Sequence, residues 1–281
     1  LVVGLAPDGG RLNPSHHKDV KTALTLGLHL DSGLHDFLSE DPELTTLAAS
    51  RGVVIRDIRK PPPRDRLHFF TGKIEEVQSL KVAVLGTDSA VGKRTTAWMT
   101  AEILSERNIS CELIGTGQTA WLQGVRFGVL MDSLVNDFVS GEIEHAVWSA
   151  WKEVAPEVIL IEGQGSIMNP AYPGGFEILA AARPDVIVLQ HAPARREYDG
   201  FPGHPLHSVE RQIEVLELLS GKPVVAVTVN REGLDEAGVS AACRQITERT
   251  GLPAYDVLDD SCFGLTDLLM IHLGRHRMSV T

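Results

Sequence analysis

Residues 81–96, Lys-Val-Ala-Val-Leu-Gly-Thr-Asp-Ser-Ala-Val-Gly-Lys-Arg-Thr-Thr, constrain the fold more than any other stretch of the chain. An apolar run of strand character ends in a glycine-bounded loop. The loop closes on Gly92-Lys93 and leads into residues of helical preference. Loop N–H groups and the amino end of the following helix form a cradle for phosphate oxygens, and the lysine adds a charge. Gly86, Thr87, Asp88, Ser89, Ala90, Val91, Gly92, Lys93, Arg94, Thr95 and Thr96 are therefore the candidates for holding a phosphorylated cofactor.

A strand–loop–helix unit of this kind belongs in a parallel sheet, and the remaining sequence agrees. Short apolar runs at 1–6, 28–31, 53–58, 81–86, 111–115, 158–162, 185–190, 223–229 and 254–258 read as strands, most of them separated by room for a crossover helix. Near-continuous apolar strands of this type imply a sheet covered on both faces. A helix is predicted over 132–154, where Leu134, Val135, Phe138, Val139, Ile143, Ala146, Val147 and Val154 share a stripe, and another over 208–219, with Ser208 as N-cap. Pro61-Pro62-Pro63 can continue neither a helix nor a central strand, so it reads as a stiff connector. The expected class is α/β, with a small Rossmann-like domain over 1–80 and a phosphate-binding parallel-sheet domain, similar to P-loop NTPases, over 81–281.

Composition narrows the function. With 26 Lys+Arg against 37 Asp+Glu, the net charge of −11 leaves no basic footprint for nucleic acid or an anionic membrane surface. No apolar run reaches the length of a membrane span. Cys111, Cys243 and Cys262 are far apart and in no metal-ligand spacing, which fits thiols in a reducing compartment and predicts a cytoplasmic setting. A strand at residue 1 without an initiator Met predicts that residues precede Leu1.

In parallel sheets ligands collect at the carboxyl ends of strands. Those ends carry Gly115-Thr-Gly-Gln118-Thr, Glu162-Gly-Gln164-Gly-Ser166, His191 with Arg195-Arg196 close behind, and Asn230. Asp132 opens the long predicted helix, where a carboxylate also suits the helix dipole. Asn230 also suits a turn, and His191 a hydrogen-bonded core position. Glu162 is harder to explain structurally, since a carboxylate ends an apolar run and glycines that allow close backbone approach follow it.

The loop departs from the general phosphate-loop pattern in two ways. Its first glycine comes one residue early, and the longer loop, Gly-Thr-Asp to Val-Gly-Lys, is similar to that of dethiobiotin synthetase, a P-loop ligase. The residue after the lysine is Arg94, where Ser or Thr would bind Mg²⁺. A guanidinium has no acceptor and cannot ligate a cation, but it binds phosphate bidentately.

The chain resembles the D-glutamate N-acetyltransferase (DgcN-type) family, long known only as a domain of unknown function. The resemblance runs through Gly86-Thr-Asp-Ser-Ala-Val-Gly-Lys-Arg-Thr-Thr, Thr116-Gly-Gln-Thr, Asp132, Asn136-Asp-Phe-Val-Ser-Gly-Glu142 and Glu162-Gly-Gln-Gly-Ser, and extends into Tyr198 to Ser208. It also covers Gly4-Leu-Ala-Pro-Asp-Gly-Gly, Ser32-Gly-Leu-His35 and Asp57-Ile-Arg59. It implies acetyl transfer from acetyl-CoA to the amino group of D-glutamate, with a racemase of the N-acetylated product as pathway partner. Aminolysis of a thioester needs a base, for which Glu162 comes first and His191 second. Asp132 beside Glu162 would raise its pKa. Backbone N–H groups of 163–166 would serve the thioester oxygen, Gln118, Gln164 and Ser166 would line the substrate site, and Arg126, Arg195 or Arg196 would take the carboxylates.

The alternative is an ATP- and Mg²⁺-dependent ligase or kinase, in which Asp132 and Glu162 hold the metal and Asn230 reads the adenine edge. A nucleotide-binding regulatory module without turnover is a third reading. The expected partners are a small acidic amino acid and neither nucleic acid nor membrane, while assembly into a homo-oligomer stays open.

Overall fold

The structure is a computed structural model that describes Leu1–Leu5, Gly10–Asp259 and Ser261–Val280. Residues 6–9 of the expected first strand and of the Gly4–Gly10 motif lie outside the described residues. The chain divides into two compact units: Leu1–Leu67 with Gly117–Gly124 and Leu130–Val135, and His68–Thr116 with Val125–Val129 and Asn136–Thr281.

The first unit holds a parallel sheet of β1 (Val2–Val3), β2 (Leu30–Ser32) and β3 (Ile55–Asp57), with β2 in the middle. Two helices connect these strands, and both start on strong signals. Helix α1 (Pro14–Thr25) is capped by Asn13, whose Oδ1 accepts from His16 N at 2.9 Å, and α2 (Pro42–Arg51) by Asp41, which accepts from Glu43 N and Leu44 N. Val20, Leu24, Leu30, Leu44 and Ala48 fill the core between sheet and helices.

The second unit is built on seven parallel strands: β4 (Leu80–Gly86), β5 (Cys111–Gly115), β6 (Phe127–Gly128), β7 (Val158–Glu162), β8 (Val186–His191), β9 (Val224–Val229) and β10 (Ala254–Tyr255). Their order is β10-β9-β8-β4-β7-β5-β6. Strand β4 is therefore central and buried over its whole length. The chain leaves β4 through α3 (Lys93–Glu106) for β5 on one side, then returns to β7 and crosses to β8 on the other. A crevice at that reversal of strand order is where ligands bind in such sheets. Among the described residues no helix is long and apolar enough to cross a membrane, and burial pushes the Cys111 thiol up to about 12, which leaves it unreactive.

Three boundaries differ from the sequence reading. β6 is a two-residue edge strand, too short to leave a pattern. The long helix, labelled α5 in order after the short α4 (Gln118–Leu122), spans Asn136–Val154 rather than starting at 132. Met131–Ser133 forms a 3₁₀ turn and Leu134 is extended, with ψ at 149°, so Asp132 does not lie on that helix. The units divide at 67/68 and not at 80/81, because residues 68–77 are tied to α5. Buried Glu144 accepts from Thr71 N at 2.6 Å, Thr71 Oγ1 at 3.0 Å and Ile74 N at 3.2 Å. The remaining helices, α6 (Val209–Ser220), α7 (Glu236–Thr250) and α8 (Ser261–Val280), complete the unit, and Ser208 caps α6 through Arg211 N as the sequence indicates.

Glu144→Ala should lower the free energy of unfolding by roughly 2–4 kcal/mol, since it leaves the buried Ile74 N–H and both Thr71 donors without their acceptor. Glu144→Gln should keep much of that stability. Urea titration followed by circular dichroism measures both.

Candidate functional site

The carboxyl end of β4 opens into the phosphate loop, flanked by the ends of β7 and β8. Asp88 is the anchor of that loop and is fully buried. Its Oδ1 accepts from Ser89 N and Asn169 Nδ2, both at 2.7 Å. Its Oδ2 accepts from Arg195 Nη1 and Asp199 N, both at 2.9 Å. Arg195 also reaches Ser89 O and Glu232. A buried carboxylate is tolerable only when its charge and lone pairs are matched in this way.

Lys93 is also buried. It folds back over Gly86, where a Cβ would stand 2.9 Å from Lys93 Cδ, so only glycine fits. Its Nζ donates to Asp88 O at 2.8 Å and Gly165 O at 2.9 Å. Burial pulls its pKa down to about 8, with Glu162 and Asp88 opposing that drop. Arg94 is half-buried, Thr95 is exposed, and the Thr96 hydroxyl donates to Gln190, which also accepts from Thr228 Oγ1. Ala90 and Gly92 both take positive φ, at 50° and 102°.

Glu162 ends β7, and its Oε2 accepts from Thr116 N at 3.0 Å. Burial pushes its pKa up, while the Thr116 hydrogen bond, the Arg94 charge and the Lys93 charge hold it down. Asp132 plays no part in that shift. It belongs to the first unit, where Arg59 Nη2 donates to its Oδ2 at 2.8 Å and to Gln118 Oε1 at 2.9 Å. The expected like-charge pair is thus replaced by an Arg59 ion pair, and Gln118 is held by the same guanidinium. Arg59 was not among the sequence candidates; its partners lie far off in the chain, beyond the reach of local pattern.

The turn after β7 is held tightly. A Cβ on Gly163 would stand 2.6 Å from Val84 O, and the Gly163 N–H donates to that oxygen at 2.9 Å. Ser166 N donates to Tyr172 O at 3.1 Å. Of the four N–H groups expected to serve an oxyanion, 163 and 166 are therefore occupied, and 164 and 165 have no partner among the described residues. The Ser166 hydroxyl is buried without a partner and lines a cavity of about 10 Å³ with Gly86, Gly165 and Gly174. That is room for about one water. Gln164 Nε2 donates to Thr116 O at 2.8 Å.

His191 ends β8, with Nδ1 3.0 Å from Thr87 Oγ1, and burial pulls its pKa down to about 4. It is a neutral and weak base at physiological pH. Asn230 does not face outward to read a base edge: its Nδ2 donates to Val91 O at 2.7 Å and its Oδ1 accepts from Glu232 N. It shapes the loop. Arg126 pairs with Glu153 at the surface, and Arg195 is committed to Asp88 and Glu232. Arg196 is exposed, with no side-chain partner among the described residues.

Comparison with known proteins places this architecture. A family model described as a domain of unknown function (DUF1611_C), P-loop domain, matches residues 68–268, and a second, described as a DUF1611_N Rossmann-like domain, matches 1–61. A protein of Tritonibacter scottomollicae named D-glutamate N-acetyltransferase is 29% identical over 282 residues, covering 96% of this chain and 80% of the relative. One of the same name from a Pseudoalteromonas species is 31% identical over 267 residues, covering 92% and 78%. The crystal structure of a DUF1611 family protein from Anabaena variabilis ATCC 29413 matches with a TM-score of 0.89 at 30% identity, over 96% of this chain and 79% of that one.

Lys93 carries charge only below its lowered pKa of about 8. Inorganic sulfate, which stays fully ionised across this range and is used as a probe of the loop, should therefore bind about tenfold more tightly at pH 7 than at pH 9. Lys93→Met should weaken binding at pH 7 and remove the pH dependence. Isothermal titration calorimetry at the two pH values decides it.

Proposed function

The chain belongs to the DUF1611 family, and on that footing we propose that it is an N-acetyltransferase that moves acetyl from acetyl-CoA to the amino group of an acidic amino acid, D-glutamate foremost. The names of the two curated relatives support the N-acetyltransferase class. The observation that carries the finer reading is the Arg94–Glu162 arrangement. A cation stands where a metal-binding hydroxyl would be expected, and the carboxylate it acts on is buried, with a raised pKa.

The residues present fit a coenzyme A phosphate group. Gly86 lets the Lys93 side chain fold back across the loop, and Lys93 and Arg94 supply charge for phosphate oxygens. The negative charge of Asp88 is matched internally by Arg195. Acetyl-CoA supplies the activated acetyl group.

The chain's own residues perform the rest. The amino group of the substrate arrives as an ammonium ion and must lose a proton before it can attack. Glu162 takes that proton: burial raises its affinity for it, and the Thr116 N–H with the Arg94 and Lys93 charges opposes that rise. His191, with a pKa near 4, is poorly matched to the task. The Gln164 and Gly165 N–H groups are donors for the thioester oxygen. Arg196 is the expected arginine left free to meet a substrate carboxylate.

The test is thiol release from acetyl-CoA in the presence of D-glutamate, L-glutamate and D-aspartate. Glu162→Gln should cut the chemical step by about 10²–10⁴-fold and leave acetyl-CoA binding intact. In the wild type, kcat/KM should rise with pH through a midpoint above the ordinary carboxylate range, and fall again as Lys93 loses its proton near pH 8. Activity should survive excess EDTA. Turnover that requires ATP and Mg²⁺, with none on acetyl-CoA, would hand the site to a ligase.

A further inference from the structure

Two buried lysines stand near β4: Lys93, which opens α3, belongs to the phosphate loop, and Lys81, near the amino end of the strand, does not. Lys81 sits between Leu80 and Val82 in the central strand and is 7% exposed. Lysine is rarely placed so deep unless it is paired. Its partner is Asp185, just before β8. Asp185 Oδ2 lies 3.3 Å from Lys81 Nζ, accepts from Lys81 N at 2.9 Å and stands 3.9 Å from His276 Nδ1 on α8.

This cluster lines a cavity of about 750 Å³ within the second unit. That volume lies in the range of small-molecule sites, roughly 300–1,000 Å³. The cavity opens at the amino ends of β4, β8 and β9, whereas the phosphate loop lies at their carboxyl ends, about 20 Å away along β4. Phe176, Leu179 and Leu219 give it an apolar wall. Arg183 on its rim is already bound to Glu75, and Lys81 to Asp185, which leaves Lys222 without a side-chain partner among the described residues. The lining therefore carries one surplus positive charge, from Lys81, Arg183 and Lys222 against Glu75 and Asp185, on a chain whose net charge is −11. An apolar wall beside a single unmatched ammonium suits a monoanion with an apolar body.

We propose that this cavity is a second ligand site, distinct from the phosphate loop, which binds a small monocarboxylic acid with an aliphatic or aromatic body. Its carboxylate is held by Lys222, and its body lies on Phe176, Leu179 and Leu219.

Octanoate is the probe, titrated calorimetrically into the full chain, with octylammonium as the charge-reversed control. Octanoate should saturate one site, and octylammonium should bind at least about tenfold more weakly. Lys222 lies exposed in the turn before β9, so Lys222→Glu should melt like the wild type while losing at least about tenfold in octanoate affinity. Leu219→Asp, which places a charge on the apolar wall, should do the same. Saturating pyrophosphate should leave octanoate binding unchanged. The proposal is overturned if octanoate shows no saturable binding into the millimolar range, if both variants bind it as the wild type does, if octylammonium binds equally well, or if pyrophosphate displaces it.

Discussion

Everything at the phosphate loop depends on how Asp88 is neutralised. A carboxylate inside a loop meant for anions would repel them, and a fully buried one would unfold the loop if left unpaired. Four donors from three parts of the chain prevent both: the next backbone N–H, Asn169, Arg195 and the N–H of Asp199. Three of these come from segments after β7 and β8. The loop is thus closed off from behind by the connections that follow its flanking strands, and among the described residues neither Lys93 nor Arg94 hydrogen-bonds to the Asp88 carboxylate.

Arg94 shapes the chemistry through its effect on Glu162. A hydroxyl in its place would be a metal ligand, and the neighbouring carboxylate would then act at a metal centre. With a guanidinium there, Glu162 is balanced between burial, which favours its proton, and two cations with one N–H, which favour its release. That balance supports the role proposed for Glu162: affinity for a proton above that of an exposed carboxylate, and a charge-stabilised form able to accept it.

Much of this was legible in the sequence. Continuous apolar runs located β4, β5, β7, β8 and β9, because a strand buried on both faces has no alternation to blur it. The Ser208 cap fixed the start of α6. What escaped was set by long-range pairing. Asp132 looked like the first turn of a helix, but Arg59, 73 residues earlier, holds it in a 3₁₀ turn outside α5. Arg195 looked like a substrate ligand, yet it is 107 residues from the carboxylate it serves. The same holds for Asn230, whose amide closes on Val91 O from 139 residues away. Local spacing identifies residue types able to do chemistry; which of them are already occupied by other parts of the protein is decided by packing.

Lys93 shows what such a site costs. Lys81, near the amino end of β4, has a carboxylate 3.3 Å away, whereas Lys93 Nζ has only carbonyl oxygens within hydrogen-bond reach. An unfolded lysine titrates near 10.5 and this one near 8, so between those values the unfolded chain binds the extra proton and stability rises with pH. Below pH 8 the full penalty applies, about 3 kcal/mol for a shift of that size. A well-packed apolar residue would avoid it. The lysine is retained although the Glu162 and Asp88 charges offset only part of its burial. On the proposed reading, a phosphate entering the loop would offset what remains, so that part of the energy for binding is stored in advance as a buried cation.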